Sequence, residues 1–135
     1  MLWLDANDTA SLDKGSNPGA SGPPDENETV GYWGDLSGND HYATSYQAST
    51  TREPKYLPTG FNAKPTLQFD GSNDMLDVQN PDAFDSWDAM TVFIVFKGLP
   101  LENYRVLISK NGDDGQGWKL RKGADDNNRL QTVIR

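Results

Sequence analysis

Short apolar runs broken by Gly, Pro, Asn and Asp follow one another along this chain, the pattern of a protein built from strands and turns. Leu2 to Leu4 and Val30 to Leu36 are the first two runs, the second ending in the turn Ser37-Gly38-Asn39-Asp40. Thr66 to Phe69 and Met75 to Val78 flank Asp70-Gly71-Ser72-Asn73-Asp74, which predicts a hairpin because Gly and Asn tolerate positive φ. Met90 to Lys97, MTVFIVFK, is the clearest strand, with Val92, Ile94 and Phe96 on one face and Phe93 and Val95 on the other. Apolar on both faces, it is expected to be a central strand covered on each side. Arg105 to Lys110, Trp118 to Arg121 and Leu130 to Ile134 complete the set. Helix is predicted only as two short turns, Asn7 to Leu12 capped by Asn7 or Asp8, and Pro81 to Trp87 started by Asn80.

The polar stretch over residues 13–29 interrupts this rhythm. Its low-complexity part, GSNPGASGPPDEN from Gly15 to Asn27, is expected to be disordered or a plain surface excursion rather than a binding loop. At 135 residues the chain is expected to form one domain. With 12 basic against 20 acidic residues and a net charge of -8, nucleic acid is a poor partner, because neutralising phosphates needs clustered Lys and Arg. The absence of Cys removes disulfides, thiolate metal sites and cysteine nucleophiles from consideration. No apolar run approaches the ~18 residues of a membrane span, so membrane insertion is not expected.

Four strings in order then carry a resemblance. LWLDANDTASLD opens the chain, and VGYWGDLSGND, KPTLQFDGSNDMLDV and TVFIVFK with VLISKNG follow. Together they resemble the laminin-G-like branch of concanavalin A-like lectin domains, over Leu2 to about Leu120. The resemblance implies an all-β fold, an antiparallel β-sandwich of the concanavalin jelly-roll type. It implies roles in glycan or cell-surface binding and adhesion within a larger exported protein, hence an extracellular or cell-surface location. Members of that family continue past the equivalent of Ile134 with further strands, so the domain is expected to be truncated. Self-association, or completion by the missing C-terminal strands, is expected to follow.

The residues themselves support no catalytic apparatus. Glycosidases of similar fold carry a Glu-x-Asp-x-x-Glu strand, which this chain lacks; the nearest acidic string, Asp25-Glu26-Asn27-Glu28, falls in the Pro/Gly-rich loop. One histidine, His41, without Cys or a second His, gives no zinc site or Ser-His-Asp triad. The expectation is therefore a protein that is not an enzyme. Calcium is the one cofactor the residues could take, though none is required. Asp70, Asn73 and Asp74, with Asp35 from a neighbouring turn, supply the hard oxygens that calcium prefers. The alternative, that these side chains cap their own tight turns, is the simpler one. Trp3 and Trp33 are expected in the core, with Trp87 beneath the second helical turn. Trp118, after Gly115-Gln116-Gly117, is the candidate platform for a sugar face, with Tyr104 as a second ligand contact. The expected function is recognition of a glycan or protein surface. The rivals are a structural building block of an extracellular or virion assembly and, more distantly, a fragment of a glycoside hydrolase-like protein.

Overall fold

A computed structural model describes residues 1–45, 50–84, 89–98, 105–111, 117–123 and 129–134. Strands and 3-10 turns account for the regular structure, and among the described residues there is no α-helix, so the all-β expectation holds. The strands are β1 (Leu12–Asp13), β2 (Tyr32–Trp33), β3 (Ala43–Ser45), β4 (Lys55–Phe61), β5 (Lys64–Gln68), β6 (Leu76–Val78), β7 (Val106–Asn111), β8 (Gly117–Lys122) and β9 (Leu130–Ile134). They form a four-stranded sheet in the order β1-β2-β3-β6, a two-stranded sheet β4-β5 and a three-stranded sheet β7-β8-β9, antiparallel throughout. The chain divides into two compact units, Met1–Ser86 and Trp87–Arg135.

In the first unit, the small core is Leu12, Val30 and Tyr56, flanked by the partly buried Trp33 and Leu67. Val30 is fully buried because the segment before β2 is stitched to β4. The Val30 N–H donates to the Pro54 carbonyl at 2.8 Å, and the Tyr56 N–H donates to the Glu28 carbonyl at 2.9 Å. Gly31 lets this segment pass closely: a Cβ there would sit 2.9 Å from Glu53 Oε1 and from the Gly15 carbonyl group. Glu53 is itself buried and accepts the Ser45 hydroxyl at 3.0 Å.

Several expectations are corrected here. The polar stretch after Asp13 runs over the surface, most of residues 17–27 being exposed, as a plain surface excursion does, but it is anchored at its start. Asp13 is buried, and its carboxylate accepts the N–H groups of Gly15 at 2.7 Å, Ser21 at 3.1 Å and Gly22 at 3.1 Å. One charged acceptor thus folds the Pro/Gly-rich segment back on itself, with a Lys14–Glu28 ion pair at 3.2 Å further along it. The hairpin predicted across Asp70 to Asp74 does not form: β5 pairs with β4, and β6 crosses to β3. The actual hairpin turns at Asn62 and Ala63, with φ of 49° and 56°. Positive φ at both central residues is what a tight two-residue turn of the right twist requires. Asn-Gly would have announced it; Asn-Ala did not. Leu2 to Leu4 is not a strand, and Trp3 is 53% exposed rather than in the core. Trp3 is held through its backbone, donating to Asp35 and accepting from the Leu36 N–H. The first helical turn is present at Thr9–Ser11, with Asp8 accepting from the Ala10 N–H. The second spans Pro81–Phe84, and Trp87 lies outside the described residues.

In the second unit, β8 is the central strand, pairing Trp118 with Lys110 on one side and Ile134 on the other. Residues 90–97 overturn the expectation of a covered central strand. They belong to no ladder and are exposed along their whole length.

Candidate functional site

Strand alternation decides what the four-stranded sheet presents. Leu12 lies opposite Trp33, Trp33 opposite Ala43, and Ala43 opposite Val78, which places these apolar side chains in one row on the core face. The adjacent row, Asp13, Tyr32, Thr44 and Asp77, necessarily falls on the other face. Tyr42, just before β3, adds its ring to that face, its centroid 5.2 Å from that of Tyr32 with 36° between the planes. Gln79 follows β6; its N–H donates to the Tyr42 carbonyl at 2.8 Å and its side-chain amide to Thr44 Oγ1 at 3.0 Å. Tyr32, Tyr42, Thr44, Asp77 and Gln79 are all partly exposed.

This face combines two aromatic rings with hydroxyls, an amide and a carboxylate, the chemistry that recognises polyols. Partial burial raises the Tyr32 phenol above its ordinary pKa, and the negative charge of Asp40, with Tyr42 and Asp35 nearby, pushes the same way. The phenol therefore stays a neutral donor and acceptor at physiological pH. Asp13 is unavailable, its carboxylate being committed to the loop. It also stands three strands from Asp77 in the row, about 14 Å at ~4.8 Å per strand. That exceeds the ~5–9.5 Å between the carboxyl groups of glycosidases.

Asp35 sits beside the face, in the loop joining β2 to β3. It accepts from the Trp3 N–H at 2.9 Å, the Ser37 N–H at 2.9 Å, the Ser37 hydroxyl at 2.7 Å and the His41 N–H at 3.1 Å. Partial burial would raise its pKa, but these four donors outweigh it and hold the carboxyl at about 2. The loop entering Tyr42 is thereby fixed to the first residues of the chain. His41 turns the opposite way, its ring 4.9 Å from that of Phe84.

Of the residues expected to take calcium, Asp70 and Asp74 each direct one carboxylate oxygen to the backbone of their own turn, and Asp35 serves the loop before β3. Asp70 Oδ1 accepts from the N–H groups of Ser72 at 2.7 Å, Asn73 at 3.0 Å and Asp74 at 3.2 Å. Asp74 Oδ2 accepts the Asp70 N–H at 2.8 Å, and burial first, then the Asp70 charge, raises the Asp74 pKa. Among the described residues, no group of three or more His, Cys, Asp or Glu side chains could hold a metal ion. Trp118 is partly buried in the central strand of the second unit, and Tyr104 lies outside the described residues. The tyrosine face was missed from sequence because Tyr32 and Trp33 are adjacent and only the pairing register tells which is core. The one available signal was an aromatic at each end of the loop between β2 and β3. No protein-family model matches the chain, and neither a curated protein nor a solved structure matches it.

Proposed function

We propose that the chain is a non-catalytic recognition module that binds a glycan through the face carrying Tyr32 and Tyr42. The observation that carries this is the tilted tyrosine pair set beside Thr44, Asp77 and Gln79 on the side of the sheet away from the core. Rings of this kind cover the C–H face of a sugar, while the amide, hydroxyls and carboxylate meet its hydroxyl groups. The same reading takes the sheets as parts of a jelly-roll sandwich similar to laminin-G-like domains and the protein as extracellular or surface-attached. No cofactor is required in it. The test is binding to a glycan array, followed by titration of the hits against Tyr42→Ala. Loss of one aromatic anchor is expected to weaken binding about ten-fold or more, equivalent to ~1.4 kcal/mol. Hits that bind the variant as tightly as the parent would remove this face from the reading; an array without hits would remove glycan recognition.

A second reading, a structural building block of an extracellular or virion assembly, is favoured by a different observation: the exposed apolar run at 90–97. A monomer at all concentrations would count against it.

A further inference from the structure

The charge of the tyrosine face has one sign. Residues 29–51 and 65–96, which supply β2, β3, β6 and the turns beside them, contain no Lys or Arg. Asp77 stands in the row with Tyr32 and Thr44, and on β6 it is diagonal to Tyr42, a separation of ~7–8 Å between Cα atoms. Its side chain is partly exposed, and among the described residues no group donates to its carboxylate or forms an ion pair with it. Asp40, exposed two residues before Tyr42, is likewise without a side-chain partner among the described residues. Asp35 adds a third negative charge, although its oxygens serve four donors. Lys14, the cation that follows β1, is held by Glu28 at 3.2 Å. The Tyr32 phenol registers this field: after burial, the charge of Asp40 is the largest cause of its raised pKa.

A neutral polyol gains little from a carboxylate that water already hydrates. A protonated amine gains from two sources. It pairs with the carboxylate, and the negative faces of tyrosine rings attract it within ~6 Å. A uronate or a sulfated sugar meets like charge instead, which opposes binding. We propose that this face selects amino sugars, glycans whose rings carry a protonated amine, over their N-acetylated and acidic counterparts, and that Asp77 holds the amine. The inference rests on the glycan reading of the same face and adds to it the charge of the ligand. The tyrosines supply a platform common to many sugars, and Asp77 supplies the preference.

The test compares a glucosamine oligomer, the same oligomer N-acetylated, and a uronate oligomer of equal length. The first two share their ring and linkage and differ in charge. Calorimetric titration in mildly acidic buffer of low ionic strength keeps the amine protonated. The glucosamine oligomer is expected to bind about five-fold more tightly than the N-acetylated one, the contribution of one partly exposed ion pair beside an aromatic ring, and the uronate not measurably. Added salt is expected to narrow that ratio, because it screens exposed charges. Asp77→Asn keeps the shape of the side chain and is expected to bring the ratio close to one, with an unchanged far-ultraviolet circular dichroism spectrum verifying the fold. The readout is the ratio, so a general weakening does not imitate the result. Equal affinity for the first two oligomers, tighter binding of the uronate, or a ratio that Asp77→Asn leaves unchanged overturns the proposal. So does an oligolysine that binds as tightly as the glucosamine oligomer, since charge alone would then be read. A glucosamine oligomer that does not bind, while array hits are lost in Tyr42→Ala, overturns this inference and leaves the glycan reading standing. An array without hits removes both.

Discussion

Replacing Asp35 by Asn removes a charge but keeps the shape and one acceptor oxygen. The side chain then can no longer hold all four donors from Trp3, Ser37 and His41. The magnitude follows from linkage. A carboxyl lowered from 3.8 to about 2 on folding stabilises the folded state by about 2.4 kcal/mol at most. Because the group is only partly buried, solvent screening brings the expectation for Asp35→Asn to about 1 kcal/mol. The sign is definite. The folded pKa lies below the unfolded one, so the contribution is complete above pH ~4 and is lost as pH falls towards ~2. Urea unfolding followed by tryptophan fluorescence at several pH values measures it. The parent and Asp35→Asn curves should differ at pH 7 and converge on acidification. A gap that stays constant between pH ~6 and pH ~2, or no gap at pH 7, would refute the claim that the charge of Asp35 organises this loop.

Two further outcomes are expected. Val30→Ala should cost about 2–3 kcal/mol in urea, since Val30 is fully buried against Leu12 and Tyr56, whereas Ile94→Ala, at a partly exposed position, should cost less than about 1 kcal/mol. Equal losses at the two positions would mean that residues 90–97 are packed after all. Millimolar calcium should leave the melting temperature unmoved, because Asp70 Oδ1 and Asp74 Oδ2 already accept N–H groups of their own turn. A rise that Asp74→Ala abolishes would show calcium bound at this turn.

Local chemistry was legible in the sequence wherever a short segment decides its own conformation. Short strand-like runs set between turn residues located β7, β8 and β9, and Asp8 announced the first helical turn. The same reading went wrong where a distant partner decides. The turn at Asp70 to Asp74 is suited to a hairpin, yet β5 had already been claimed by β4 through Asn62-Ala63, a turn with no glycine to mark it. Asp13 reads as one acid in a polar run, and only the folded loop shows three N–H groups meeting on its carboxylate. The tyrosine face depends on register. Shifting β2 by one residue against its neighbours would turn Trp33 outward and Tyr32 into the core, and nothing in the string Tyr-Trp distinguishes the two. Composition made residues 90–97 a strand in waiting; whether a neighbour covers them is a property of the tertiary structure, because burial belongs to pairs of surfaces and not to one segment.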